Sequence, residues 1–119
     1  AKARPPVINQ ASAVRKISNK GERIDMKNVL VPGKITVVDF YADWYEPSKH
    51  IGAELEKMAR SDPDVALCKV DIVNWNTPVV KQFGLRRIPN TRVFDRNGRP
   101  VGSPTSSFDA VMKNIERLR

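Results

Sequence analysis

The sequence predicts an α/β fold, and three observations carry that reading. The first is Ile35–Phe40 (ITVVDF), a nearly unbroken β-branched run. Such runs form strands covered on both faces, as at the centre of a parallel-type sheet. The second is the segment from Ser48 to Arg60, where Ile51, Leu55, Met58 and Ala59 fall at i, i+4, i+7 and i+8 on one helical stripe. The third is Asn97-Gly98 between Thr91–Asp95 and Arg99–Gly102, a strong short-range hairpin signal.

The other elements follow in order. Pro47 stands just before the first helix and Asp62-Pro63 closes it. Val65–Val70 (VALCKV) is a second strand. Thr77-Pro78 reads as an N-cap followed by proline at the first helical position, with Val79, Val80 and Phe83 as the apolar face. Gly84 suits the left-handed position that ends that helix. Ser107 caps a last helix whose stripe is Phe108, Val111, Met112, Ile115 and Leu118. The order is therefore strand, helix, strand, helix, strand, strand, helix, an α/β unit ending in an antiparallel hairpin and a covering helix.

The beginning of the chain is less regular. Residues 1–12 contain Pro5-Pro6 and no periodicity, and are expected to form a flexible arm ahead of one domain spanning 13–119. Lys20-Gly21 looks like a turn between VRKIS and ERIDM, which leaves a short hairpin as one reading. Pro32-Gly33 marks a loop.

Composition narrows the function. With 119 residues, 40% hydrophobic and 29% charged, the chain suits one globular core. No apolar run approaches the ~20 residues of a membrane span, so no membrane insertion is expected. The net charge of +8 favours acidic partners or surfaces, and also lies in the range that simply keeps a small domain soluble. Basic residues are spread along the chain and only 7% of residues are aromatic, which argues against nucleic-acid binding.

Nothing in the side chains points to a metal or cofactor. The one cysteine, Cys68, cannot form a disulfide within the chain or a site built on several thiolates, and its place inside a strand reads as a small buried hydrophobe. His50 and Glu54 are four apart, but two ligands make no metal site. Ser48 and His50 are two apart on a helix and do not face each other, so a serine nucleophile fails on geometry. Trp75, just after the second strand, reads as a cover for the sheet end.

Taken with their order and spacing, several of these stretches resemble the thioredoxin family. VVDFYADWYEPSKHI (37–51) is similar to that family's active-site region, usually VDF-aromatic-A-x-W-C-x-P-C-K. KVDIV at 69–73, QFGLRRIP at 82–89 and VFDRNG at 93–98 match further, so that the resemblance covers roughly residues 34–118. It implies a thioredoxin fold, a central mixed sheet flanked by helices. The piece ERIDMKNVLVPGKITVVDF looks like exported bacterial members, which implies a periplasmic or secreted location, with cytoplasmic as the alternative.

The resemblance also implies a site. In the family the first cysteine sits at the N-terminus of the long helix, where the helix dipole and free N–H groups stabilise its thiolate. Here Tyr45 stands at that position and Ser48 at the second cysteine's, so neither a nucleophilic nor a resolving thiol is present. As written, the chain cannot run dithiol–disulfide chemistry. Asp39 matches the family's buried proton-shuttling carboxylate and Lys69 the lysine beside it, either as a retained electrostatic pair or as an inherited contact without a role. Ile88-Pro89 matches the cis-proline beside which an extended substrate peptide pairs by strand addition.

Trp44, Tyr45, Ile88 and Pro89 are thus expected to form an apolar peptide-docking groove. Arg87 stands where glycine is common and Asn90 where threonine is usual, and the long cation favours acidic peptides. Ala53 replaces the proline that kinks the long helix in many relatives.

Three functions compete. The leading one is a redox-inactive peptide- or protein-binding or chaperone-like module that uses the groove. The alternative is a cysteine-substituted form of a thiol–disulfide oxidoreductase whose parent motif is CEPC. A glutathione-handling enzyme using the Tyr45 or Ser48 hydroxyl is a third, opposed by the lack of room for a helical second domain.

Overall fold

Which residues alternate towards which side decides how this chain folds around its sheet. In a strand, successive side chains point to opposite faces. Strand β2 (Ile35–Tyr41) is buried at all seven positions, so both of its faces must be covered. A computed structural model describes residues 13–119 and shows how this is done. The expected N-terminal arm, residues 1–12, lies outside the described residues.

The elements in order are β1 (Val14–Ser18), α1 (Met26–Val29), β2, α2 (Glu46–Ser61), β3 (Val65–Asp71), α3 (Pro78–Phe83), β4 (Asn90–Phe94), β5 (Pro100–Thr105) and α4 (Phe108–Glu116). The five strands form one mixed sheet in the order β1-β3-β2-β4-β5. Strands β1 and β2 run parallel to β3, β4 runs antiparallel to β2, and β5 antiparallel to β4.

One face of β2, through Val38 and Phe40, packs with Cys68, Val70, Ile72, Val79 and Ile88 beneath α1 and α3. The other, through Ile35 and Val37, packs with Leu55, Leu67, Val93, Val111 and Ile115 beneath α2 and α4. Phe40, Leu55, Leu67 and Ile115 are fully buried, each worth ~2 kcal/mol in transfer free energy. The alternation places Asp39 and Lys69 on the α2 face with Val37 and Leu67.

Three local expectations are revised. No hairpin forms around Lys20-Gly21: β1 pairs in parallel with β3, and ERID never becomes a strand. Gly21 turns the chain at φ +71° so close to Thr77 that a Cβ there would lie 2.5 Å from the Thr77 side chain. The segment then lies along α3, where Gln82 Oε1 accepts from the Ile24 N–H at 2.9 Å and Gln82 Nε2 donates to the Ile24 carbonyl at 2.6 Å. A side-chain amide thus supplies both bonds that a neighbouring strand would have made.

The second revision concerns α2, which begins at Glu46, so Pro47 lies inside its first turn rather than before it. Proline fits there because a first-turn N–H has no helical partner to lose. The helix runs unbroken through Ala53 to Ser61. The third concerns Thr77, which occupies the N-cap of α3 without capping it. Its hydroxyl turns back to the Ile72 and Asn74 carbonyls at 2.7 and 3.2 Å, tying the preceding loop instead. Ser107 does cap α4, accepting from the Ala110 N–H at 3.2 Å. Gly84 ends α3 in the left-handed conformation at φ +60°.

Candidate functional site

Parallel strands deliver their connections to one end of a sheet, and in α/β folds ligands bind at that end. Here β2 ends at Tyr41 and the chain reaches α2 through only Ala42–Tyr45, which sets Trp44 and Tyr45 at that end of the sheet. The loop after β3 brings Trp75 to the same end, and the approach to β4 brings Arg87, Ile88 and Pro89. The turn from β5 into α4 adds Ser106 and Phe108.

A groove of about 560 Å³ opens between these segments, lined by residues that include Tyr45, Pro47, Ile51, Ile88, Pro89 and Phe108. The Ile88–Pro89 peptide bond is cis. Ile88 is buried and Arg87 exposed. Among the described residues, the Arg87 N–H and the Arg87 and Ile88 carbonyls have no hydrogen-bond partner. Unpaired main-chain groups beside an apolar wall are what an added strand requires.

Tyr45 is the N-cap of α2, with its side chain 39% exposed and its carbonyl accepting from the Ser48 and Lys49 N–H groups at 3.0 and 3.2 Å. Ser48 points the other way: it is 1% exposed, and its hydroxyl has no partner among the described residues. Trp44 does not line the groove. Its Nε1–H donates to the Val73 carbonyl at 2.6 Å, and its ring meets Trp75 edge-on, with centroids 6.5 Å apart. Val73 holds a positive φ of 68°, an uncommon conformation for a β-branched residue, and this bond helps to fix it. Trp75 is 41% exposed and extends the aromatic surface that Trp44 begins.

A buried carboxyl group lies beneath α2, beside Gly52. Asp39 is fully buried and faces Lys69 in the β2–β3 register, yet the two form no ion pair. The Lys69 ammonium instead sits 2.7 Å from Glu56 Oε2 and 4.5 Å from the centre of the Tyr41 ring. Neither Asp39 oxygen has a hydrogen-bond partner among the described residues. Burial pushes the Asp39 carboxyl up to about 7, Lys69 opposing that shift and Glu56 adding to it. The expected Asp39–Lys69 pair is thus a near neighbour relation in which Glu56 takes the cation.

Cys68 is fully buried in the sheet, and burial pushes its thiol up to about 11. A thiol held protonated is a poor nucleophile. His50 and Glu54 form an exposed helical pair at 3.8 Å that also borders the groove. Their part in the groove, with that of Pro47, Ser106 and Phe108, was not read from sequence. Pro47 lies inside the active-site stretch, His50 and Glu54 show as a helical pair and Phe108 as the first apolar residue after the Ser107 cap, but none of these signals points to a groove.

The thioredoxin family profile matches residues 21–116. This chain belongs to the thioredoxin family. It is 34% identical over 86 residues to the thioredoxin of Mycoplasmoides gallisepticum, covering 72% of this chain and 81% of that protein. It is 26% identical over 87 residues to the chloroplast thioredoxin F of Oryza sativa subsp. japonica. That match covers 72% of this chain and 46% of the relative, so the chain spans about half the length of the chloroplast thioredoxin. Among solved structures, the crystal structure of a complex of ferredoxin:thioredoxin reductase with thioredoxin f2 superposes with a TM-score of 0.69 at 22% identity, covering 89% of this chain and 94% of the other. The expected thioredoxin fold, a mixed five-strand sheet flanked by helices and ending in a strand pair and a C-terminal helix, is the one observed. No helix among the described residues is long and apolar enough to cross a membrane.

Proposed function

We propose that this chain is a redox-inactive member of the thioredoxin family that holds an extended peptide or protein segment beside Pro89, in a binding or chaperone-like role. The observation that carries the reading is the pairing of a groove with missing thiols. The groove keeps unpaired main-chain groups at Arg87 and Ile88, while the two positions that resemblance assigns to the redox cysteines hold Tyr45 and Ser48. The single thiol is sealed in the sheet and kept protonated.

In this reading the partner segment lies extended along residues 87–89 and exchanges hydrogen bonds with the main chain there. Its side chains alternate, and every second one drops into the groove between the Tyr45 and Phe108 rings. Tyr45 is then a wall of the binding site where a thiol would have been a reactant.

Anisotropy titration of fluorescein-labelled extended peptides tests this directly. Saturable binding that weakens at least fivefold in Tyr45→Ala and Phe108→Ala is expected. Binding indifferent to both substitutions would place the peptide elsewhere.

A further inference from the structure

The groove does not end at Phe108. Arg87, Pro89 and Ser106 line it and also line a second depression of about 400 Å³, completed by Gly84, Arg86, Asn90, Pro104 and Thr105. The two hollows therefore adjoin one another at Pro89. Their chemistry differs. The groove is walled by Tyr45, Ile51, Ile88 and Phe108, and its one carboxylate, Glu54, lies beside His50. The second depression is lined by two arginines, two hydroxyl residues and an asparagine, and by no acidic residue.

The two arginines are exposed, and neither forms an ion pair with a carboxylate among the described residues. Other basic residues of the chain do find such partners: Lys69 and Arg60 at Glu56, Lys49 at Glu46, Arg119 at Asp62. Guanidinium groups suit planar, bidentate recognition of carboxylate and phosphate, and the Thr105 and Ser106 hydroxyls add donors beside them. The chain's net charge of +8 brings an anionic segment to this end without opposing it.

We propose that the segment held in the groove is acidic, with a carboxylate or phosphate side chain seated between Arg86 and Arg87 next to the residue that lies over Pro89. This inference rests on the groove-binding reading above. The groove supplies main-chain pairing and apolar contact. The arginine depression supplies register, since only a segment with its anion at one fixed position satisfies both hollows at once. Rejection of basic segments comes from the same two charges.

The test uses the full chain and fluorescein-labelled ten-residue peptides of Ala, Val and Ser. In successive peptides one position is made Glu, phosphoserine, Gln or Lys, and binding is read by anisotropy at low and at high salt. At one position, Glu or phosphoserine binds about tenfold more tightly than Gln, as expected for one anion shared by two exposed guanidinium groups, and Lys binds most weakly. That advantage shrinks towards 1 M salt, where screening acts over about 3 Å. Arg86→Glu/Arg87→Glu reverses the order in favour of Lys.

Phosphoserine well above Glu assigns the site to phosphorylated segments, and Glu at or above phosphoserine assigns it to carboxylates. Equal affinity for Glu, Gln and Lys at every position, with dependence on Tyr45 and Phe108 kept, overturns the acidic inference and leaves the groove reading standing. An acidic preference that survives Arg86→Glu/Arg87→Glu also overturns it. Failure of every peptide to bind removes the groove reading itself.

Discussion

Asp39 and Lys69 lie opposite one another across the β2–β3 pair, but the Lys69 ammonium is bound to Glu56, 2.7 Å away on α2. The buried carboxyl is therefore left without an ion-pair or hydrogen-bond partner among the described residues. A charge in that position is costly to solvate, and the group answers by holding its proton.

The first prediction concerns stability against pH. Burial raises the Asp39 carboxyl from 3.8 to about 7 in the folded chain. Below about pH 4 both folded and unfolded states keep the proton, and the group leaves stability unchanged. Between about pH 4 and about pH 7 the unfolded chain has released a proton that the folded chain still holds, so stability falls as pH rises and levels off above. Asp39→Asn is expected to remove this slope, a difference of a few kcal/mol at about 1.4 kcal/mol per pH unit. Urea unfolding from pH 4 to pH 8 checks it, and an unchanged slope in Asp39→Asn contradicts it.

Glu56 should tune the same group. Its charge adds to the rise of the Asp39 carboxyl, and it also holds the cation that would oppose that rise. Glu56→Gln removes the first effect and frees Lys69 for Asp39. The Asp39 carboxyl is then expected to titrate clearly below its present value of about 7. The carboxyl-carbon NMR titration of Asp39 reads this, and a rise in Glu56→Gln would show that Lys69 does not turn inward.

Gln82 is expected to anchor the chain ahead of β2. Its side-chain amide satisfies both main-chain groups of Ile24, which is half-buried. Gln82→Ala leaves those two groups to water or unpaired, at a cost of about 1–3 kcal/mol. Amide exchange at Ile24 should accelerate more than exchange in β2 or β3. Equal acceleration throughout would mean that the segment unfolds only with the whole sheet.

Much of this architecture was legible where local pattern and burial agree. ITVVDF runs through the middle of the sheet, so burial on both faces left a nearly continuous β-branched and apolar signature with Asp39 as its one charged interruption. The stripe Ile51, Leu55, Met58 and Ala59 faces the core because α2 is covered along one side only. The partner of β1 was not legible. Parallel pairing joins Val14 to Leu67 across the intervening chain and leaves no turn residue to announce it.

The site was legible in part for a related reason. Tyr45, Arg87, Ile88 and Pro89 belong to recognisable motifs and line the groove, whereas Trp44 stands beside it, its ring 6.1 Å from that of Tyr45 and its Nε1–H on the Val73 carbonyl. Ser106 and Phe108 reach it only because β5 ends and α4 begins there. The competition of Glu56 for Lys69 depends on how far two side chains reach, which residue spacing does not encode.

The central claim is that a thioredoxin frame here serves binding without thiol chemistry, and insulin disulfide reduction with dithiothreitol as reductant tests it most directly. The native chain is compared with reductant alone, and Tyr45→Cys/Ser48→Cys reports whether the frame stays competent once both thiols are present. No acceleration by the native chain is predicted. Acceleration by the unmodified chain would contradict the account and would make Cys68, buried in the sheet, the residue to explain.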